Sequence, residues 1–361
     1  MNWDIVCKVI DNHGDIGVCW RLAVGLARRG ESVRLWADDL SALAWMAPCG
    51  HAGVELRRWT PDSVGFAPGD VVIEAFGCEL GEAFTAAIAA TARAKGRQPA
   101  WINLEYLSAE AFARHSHGLN SPVLYGAGTG LVKQFFYPGF TPGTGGLLRE
   151  DDLLQRQTDF DRLSWLQGRG LERDHLDGTR LVSLFCYEPT ALTTLLDQLA
   201  RSLQPTRLLV TAGRARAAVK AVLGDKDKLQ PEWNARGSLS MTYLPLLSQL
   251  DFDHLLWSCD LNFVRGEDSL VRALWAGQPF VWQAYPQSDD AHLPKLKAFL
   301  DWLQAPPSLR QLHMAWNGAD GELPCVASAD WITCVARARA RLLLQPDLAT
   351  QLLQNCTPAG P

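Results

Sequence analysis

A glycine and a group of charged and polar residues, Arg265-Gly266-Glu267-Asp268-Ser269, join an apolar segment to a segment with helical periodicity. This pattern predicts a helix N-terminus directly after a buried strand. Unpaired backbone N–H groups and the positive end of the helix dipole make such a position a phosphate-binding site. The same residue types are also good helix caps. The run therefore indicates either a phosphate site or an ordinary cap.

Two carboxylates, an amide and two glycines follow the first candidate strand, in the run Asp11-Asn12-His13-Gly14-Asp15-Ile16-Gly17. Parallel-sheet proteins place ligands on loops that leave the strands. Gly14 and Gly17 would allow a sharp turn or a close approach to a ligand. The alternative is an Asx-rich turn that caps a helix starting near Val18. The run is not a GxGxxG fingerprint, which weakens a nicotinamide-binding interpretation.

Two further segments carry aromatic residues where a nucleotide could bind. Phe185 and Tyr187 stand at the end of a candidate strand, and residues at i and i+2 share one face. Such a pair can stack a base, although it more often packs in a core. Phe252 is flanked by acidic residues, which predicts an exposed ring able to stack a pyrimidine, with Gln249 reading the base edge. Asp251 or Asp253 would cap the helix that follows.

Alternating short apolar runs and helical patterns predict parallel sheets covered by helices. With 361 residues, 47% of them hydrophobic, the chain is a globular protein of two or three domains. The helix-like segments of the first half are Val18 to Arg28, Leu40 to Met46 and Gly81 to Ala94. The candidate strands are Asp4 to Val9, Ser32 to Trp36, Val54 to Trp59, Val71 to Phe76, Ala100 to Glu105, Arg180 to Tyr187, Arg207 to Val210, Leu239 to Leu244, Leu261 to Val264 and Pro279 to Gln283.

A Gly- and Pro-rich stretch from Tyr137 to Gly146, and a charged run from Arg149 to Asp177, predict a domain boundary. The Gly/Pro stretch could equally be a surface loop that meets a partner. We expect an N-terminal domain at 1–150, a C-terminal domain at 175–344, and a last helix at about 345–361 that packs back on the first domain. Two facing doubly wound domains would leave a cleft lined by the carboxyl ends of both sheets.

Composition and charge exclude several classes of protein. A formal charge of −5 argues against a general nucleic-acid binder. The N-terminus does not resemble a signal peptide, and no apolar run reaches the ~18 residues of a membrane span, so we expect a cytoplasmic protein. None of the nine cysteines forms a CxxC pair. Cys49 and His51 lack companions for a metal site, so we expect no metal.

Three blocks resemble the bacterial EarP family of protein-arginine rhamnosyltransferases, which modify elongation factor P. They are DNHGDIGVCWRLA at 11–23, SLFCYEP at 183–189 and LLWSCDLNFVRGEDSLVRALWAGQPFVWQ at 255–283. The resemblance extends over the full length and implies an α/β GT-B fold, with two Rossmann-like domains facing each other across a cleft. It implies transfer of L-rhamnose from dTDP-β-L-rhamnose to an arginine, with inversion, and without a metal or a cofactor other than the donor.

The resemblance also implies roles for individual residues. The paired aspartates of the family fall on Asp11 and Asp15, and Asp15 corresponds to the general base. His13 departs from the Tyr or Phe expected in this loop, which affects only its packing. The donor-binding positions implied, together with the neighbouring loop and turn residues, are Asn12, Gly14, Gly17, Phe185, Tyr187, Gln249, Phe252, Arg265, Gly266, Glu267, Asp268 and Ser269.

Three alternatives remain open at the level of sequence. They are a GT-B enzyme with another nucleotide sugar, a nucleotide-sugar epimerase of the same fold, and a non-catalytic nucleotide-sugar sensor that binds a partner protein. The paired carboxylates argue against the sensor, which has no need for a base. We expect one of Glu267 and Asp268 to bind sugar hydroxyls and the other to cap the helix. We also expect a monomer.

Overall fold

The computed structural model describes residues 1–10, 13–60, 63, 65–172, 176–287, 291–319, 321–326 and 329–357. The chain divides into two compact units, called unit 1 and unit 2 below. Unit 1 comprises Met1–Asp151 and Leu342–Pro361, and unit 2 comprises Asp152–Arg341.

Unit 1 is built on a seven-stranded sheet. Its strands are β1 (Asn2–Cys7), β2 (Ser32–Ala37), β3 (Val54–Arg58), β4 (Val71–Ala75), β5 (Ala100–Leu104), β6 (Asn120–Pro122) and β7 (Val132–Phe136). The order is β3-β2-β1-β4-β5-β7-β6, and β6 alone runs antiparallel to its neighbour. The central strands β1 and β4 are almost entirely buried, as expected when helices cover both faces of a parallel sheet.

The helices of unit 1 are α1 (Gly14–Ala27), α2 (Leu43–Met46), α3 (Glu82–Lys95) and α4 (Ala111–Ser116), with a 3₁₀ turn at Gly126–Gly128. A fifth helix, α14 (Leu348–Cys356), joins them from the far end of the chain. Leu22 and Leu26 of α1 share one buried cluster with Leu348 and Leu352 of α14. The C-terminal segment therefore completes the hydrophobic core on this face of the sheet.

Unit 2 contains a parallel five-stranded sheet in the order β10-β9-β8-β11-β12. Its strands are β8 (Arg180–Leu184), β9 (Thr206–Val210), β10 (Leu239–Tyr243), β11 (Leu261–Arg265) and β12 (Phe280–Gln283). Its helices are α5 (Leu153–Thr158), α6 (Arg162–Gln167), α7 (Leu192–Arg201), α8 (Arg214–Leu229), α9 (Gln249–Ser258), α10 (Gly266–Ala276), α11 (His292–Leu303), α12 (Pro307–Trp316) and most of α13 (Ala329–Leu343).

A buried ion pair joins α9 to α10. Both carboxylate oxygens of Asp253 accept hydrogen bonds from the Arg272 guanidinium, at 2.8 and 2.7 Å, and both side chains are 1% exposed. The prediction that Asp251 or Asp253 caps the helix was wrong. Helix α9 begins earlier, at Gln249, and Ser248 is the N-cap, because its side chain accepts a hydrogen bond from the Asp251 N–H.

The structure differs from the sequence-based expectation in three other places. Each of the ten predicted strands is present, but β6 and β7 were not predicted. The charged run after residue 149 contains α5 and α6. The Gly/Pro stretch is not a surface loop, because Phe140 and Thr144 are buried and Gly146, at φ +70°, lies against the Pro346 carbonyl.

Across the part of the chain that the structure describes, no helix combines the length and the apolar character needed to cross a membrane.

Candidate functional site

The Asp15 carboxylate is fixed at the carboxyl end of β1. Helix α1 begins at Gly14, so Asp15 lies in its first turn, where the helix dipole favours negative charge. The carboxylate is 3% exposed and accepts a hydrogen bond of 2.8 Å from the Ile10 N–H. The predictions for Asp11 and Asn12 fall outside the described residues. The structure thus presents Asp15 as an oriented, nearly buried carboxylate.

The chain that enters α1 is held from two sides. The Val9 N–H donates to Asp38 at 2.9 Å, and the His13 ring meets the Trp45 ring edge-on at 5.0 Å between centroids. The His13 carbonyl accepts the N–H of Gly17. The expectation that Gly14 and Gly17 serve a sharp turn was wrong, because both lie within α1.

The glycine turn predicted at Gly266 is present in unit 2. Strand β11 ends at Arg265 and helix α10 begins at the next residue, Gly266, whose φ of +69° favours glycine. The predicted Asp or Ser cap is absent: the N-cap is Arg265, which makes no side-chain cap bond. The three polar residues Glu267, Asp268 and Ser269 occupy the first turn. The helix N-terminus therefore follows the strand without an intervening loop.

The Arg265 guanidinium lies against two of the predicted aromatic rings. Its central carbon is 4.6 Å from the ring centre of Phe185 and 4.4 Å from that of Tyr187. Strand β8 ends at Leu184, and its pairing with β11 brings these side chains to the same edge of the sheet. Arg265 and Tyr187 are both buried, so the aromatic contacts fix the cation in place.

A salt bridge between Glu267 and Lys295 of α11 joins the first turn of α10 to another helix. Both side chains remain about one-fifth to one-quarter exposed, at 21% and 24%. The lysine balances one of the two carboxylates that would otherwise repel a phosphate group at this helix terminus. No sequence pattern indicates Lys295, because it lies outside the motif that contains Glu267.

Arg214 is a second cation at this edge that sequence reasoning missed. It begins α8 after Gly213, whose φ is +83°, and its guanidinium lies 4.9 Å from the Tyr187 ring centre. Arg214 also pairs with Glu188, and its hydrogen bonds hold the pKa of that carboxyl below its ordinary value. The strand-Gly-Arg-helix order around Gly213, which combines the same residue types as Arg265-Gly266, could have identified it.

Phe252 is partly buried, so the prediction of an exposed ring was wrong. Because α9 already begins at Gln249, the Phe252 ring packs on a leucine-rich cluster and meets the Phe185 ring edge-on at 5.4 Å. Gln249 lies at the start of the same helix, partly buried. The acidic neighbour Asp251 pairs with Arg169 and accepts a hydrogen bond from the Trp165 ring N–H.

The arrangement can bind a nucleotide in unit 2 and move a proton in unit 1. In unit 2, two cations, a helix N-terminus and aromatic rings lie at the carboxyl edge of the sheet, which is the usual ligand site of doubly wound folds. Among the residues with described positions, no cluster of three or more His, Cys, Asp or Glu side chains could hold a metal ion.

Comparison with known proteins gives concordant matches over nearly the whole chain. The family model described as "Elongation-Factor P (EF-P) rhamnosyltransferase EarP" matches residues 3–357. The protein-arginine rhamnosyltransferase of Pseudomonas putida is 46% identical over 376 residues, covering 97% of each chain. A solved structure described as the structural basis for EarP-mediated arginine glycosylation of translation elongation factor EF-P is 32% identical, with a TM-score of 0.64 over 98% of this chain and 97% of the other.

The fold is shared more widely than the sequence. The glycosyltransferase SsfS6 of Streptomyces sp. SF2575 is only 13% identical but superimposes with a TM-score of 0.54 over 99% of this chain and 100% of the other. The expected GT-B fold is thus confirmed.

Proposed function

The chain belongs to the EarP family of protein-arginine rhamnosyltransferases, and from this premise we propose that it transfers L-rhamnose from dTDP-β-L-rhamnose to an arginine of elongation factor P. Support for the acceptor comes from the related solved structure, whose enzyme glycosylates an arginine of that factor. Support for donor binding comes from the convergence of Arg265, Phe185 and Tyr187 at a helix N-terminus.

We propose that unit 2 binds the donor. Arg265 and the first N–H groups of α10 are suited to the diphosphate, since charge-assisted and dipolar donors favour an anion. Phe252 would stack the thymine and Gln249 would read its edge, while the Ser269 hydroxyl would donate to a phosphate oxygen and the Asp268 carboxylate would accept from a hydroxyl group of the donor. The contact with Lys295 suggests that Glu267 binds sugar or ribose hydroxyls with its charge already balanced.

The proposed transfer is a single displacement at the anomeric carbon. A guanidinium keeps its proton to a pKa above ~12, so its nitrogen is a poor nucleophile before the reaction begins. Asp11 would orient the guanidinium, and Asp15 would accept its proton as the C–N bond forms. The bond from the anomeric carbon to the diphosphate oxygen breaks on the opposite side, which inverts the centre. Arg265 and the α10 N-terminus would stabilise the departing dTDP without a metal ion.

Intact-mass spectrometry of unmodified elongation factor P, incubated with dTDP-L-rhamnose and the protein, tests this proposal. We expect a gain of one deoxyhexose with the wild type and none with Asp15→Ala, although Asp15→Ala should still bind the donor. Asp151→Ala, which removes an exposed carboxylate from the same unit, is the matched control and should behave as wild type.

The alternatives predict different results in the same assay. Transfer from UDP-linked sugars in preference to dTDP-rhamnose would point to a GT-B enzyme with another donor. Donor binding without any transfer by the wild type would support a non-catalytic sensor. Wild-type turnover by Asp15→Ala would remove Asp15 as the base.

A further inference from the structure

Four residues form a row along the carboxyl edge of the sheet in unit 1. Cys7 of β1, Ala75 of β4, Leu104 of β5 and Phe136 of β7 are successive partners across these strands. The residues that follow them along the chain are Lys8, Phe76, Glu105 and Tyr137. Neighbouring strands are ~4.8 Å apart, so Glu105 lies about 10 Å along this edge from the end of β1. Asp15 and Glu105 therefore each follow a strand that ends at the same edge of the sheet.

Glu105 is a half-buried carboxylate that is held by hydrogen bonds. Its backbone N–H donates to the Phe136 carbonyl at 3.0 Å, and its side chain accepts a hydrogen bond of 2.9 Å from the Asn103 amide. The nearby Lys133 pairs instead with Glu74, at 2.8 Å. Glu105 makes no ion pair with any residue whose position the structure describes. Burial, and to a smaller extent the Glu74 charge, raise the pKa of its carboxyl, so a cation bound here would relieve an unfavourable charge.

An exposed aromatic ring belongs to the next residue along the chain. The Tyr106 ring stacks on Phe76, with 4.9 Å between centroids and 23° between planes, and Tyr106 is 38% exposed. Phe76 has a φ of +56°, a strained conformation for a non-glycine residue, and its N–H donates to the Leu104 carbonyl at 2.7 Å. A carboxylate and an exposed ring on successive residues supply the two kinds of contact by which proteins bind guanidinium groups, forked hydrogen bonds and stacking.

Exposed apolar side chains continue from this site along the same segment. Five of them lie within 20 residues of each other: Tyr106, Phe112, Leu119, Leu124 and Tyr125. Exposed apolar side chains concentrated in one segment suit contact with another polypeptide. A small guanidine in solution would not use this surface, whereas an arginine carried by a folded protein would.

We propose that Glu105 and Tyr106 bind the guanidinium of the acceptor arginine, and this rests on the function proposed above. The Glu105 carboxylate accepts from Nε–H and one Nη–H, and the Tyr106 ring lies against the guanidinium plane. The second Nη of the guanidinium then remains available to accept the rhamnose, on the side of the sheet edge where β1 ends and Asp15 follows. A lysine, with a single ammonium group, cannot form this forked contact, so Glu105 also selects arginine over lysine.

Steady-state kinetics of Glu105→Gln, with elongation factor P varied at saturating dTDP-L-rhamnose, test the proposal. We expect the KM for elongation factor P to rise about tenfold or more, because a charge-assisted contact is lost, while the dissociation constant for the donor stays unchanged. Tyr106→Leu should raise the same KM by about twofold to fivefold. Glu55→Gln, at an exposed glutamate of β3 in the same unit, is the matched control and should match the wild type.

Calorimetric binding of unmodified elongation factor P to the wild type and to Glu105→Gln separates this proposal from the proposed function. Weaker acceptor binding by Glu105→Gln supports the site even if no rhamnose is transferred, in which case only the proposed function fails. Normal transfer with an acceptor KM within twofold of wild type overturns the site and leaves the function standing. If Glu105→Gln does not fold, Glu105→Asp and Tyr106→Leu decide the question by the same measurements.

Discussion

The Arg265 side chain is buried and positively charged, and its guanidinium contacts two aromatic rings. Arg265 is also the N-cap of helix α10. The sequence identified Arg265, Phe185 and Tyr187 because each stands at the end of an apolar run, and parallel strands end on one edge. Arg214 and Glu105 also follow apolar runs, although the prediction did not single them out. Lys295 could not be identified in this way, because its contact depends on which helices are neighbours, which no local pattern records.

Two substitutions of Arg265 should weaken donor binding to different extents. Arg265→Ala removes both the charge and the ring contacts, and we expect the dissociation constant for dTDP-rhamnose to rise about tenfold or more. Arg265→Lys keeps the charge but loses the planar group, so its affinity should lie between the two. Isothermal titration calorimetry measures this, with Arg236→Ala, at an exposed arginine of unit 2, as the control. An unchanged affinity in Arg265→Ala would contradict a phosphate-binding role.

At the scale of elements, the sheet edges are predictable and the helix starts are less so. The apolar runs in the sequence correctly predicted ten strands, because strands buried on both faces are nearly continuous hydrophobic segments. Strand β7 was not predicted, because its apolar character is interrupted by Lys133 and Gln134, which are half-buried near the sheet margin. Helix α1 begins four residues before the predicted start at Val18, and α9 begins before its acidic residues. Polar residues in a first helical turn resemble a loop when only the sequence is read.

The buried pair of Asp253 and Arg272 should control the stability of the α9–α10 contact. Arg272→Ala removes both hydrogen bonds of its guanidinium to the buried Asp253 carboxylate, although Arg156 still lies 3.7 Å from it, so we expect the free energy of unfolding to fall by about 3 kcal/mol. Arg310→Ala removes an exposed pair with Asp301 and should cost less than about 1 kcal/mol. Chemical denaturation of both variants measures the difference. Equal losses would mean that the buried pair is no more important than a surface contact.

At the scale of the whole molecule, the chain is a two-unit GT-B protein of the EarP family, as the resemblance in three sequence blocks predicted. The individual catalytic and donor-binding assignments remain predictions. Unit 1 is discontinuous in sequence, because α14 returns to it after the whole of unit 2. Arg29, just after the end of α1, pairs with Asp347, and the Leu348 N–H donates to the Leu147 carbonyl at 2.9 Å.

Leu352→Ala should therefore destabilise unit 1 without affecting the donor site of unit 2. The side chain is fully buried against α1, and truncation of such a leucine costs about 2–5 kcal/mol. Thermal unfolding followed together with dTDP-rhamnose titration tests both parts. Leu344→Ala, at a leucine that is 88% exposed, is the matched control. A large loss of donor affinity in Leu352→Ala would show that the integrity of unit 1 determines donor binding.

Because α14 is synthesised after the whole of unit 2, it also determines when each unit can complete its folding on the ribosome. All of Asp152–Arg341 is synthesised between the two parts of unit 1, which takes about 10 to 40 seconds at ~5–20 residues per second. During that interval Leu22 and Leu26 lack their packing partners on α14, so this part of the apolar cluster is still incomplete. Unit 2 can close its own core first. The segment that emerges earliest is thus the last to be completed.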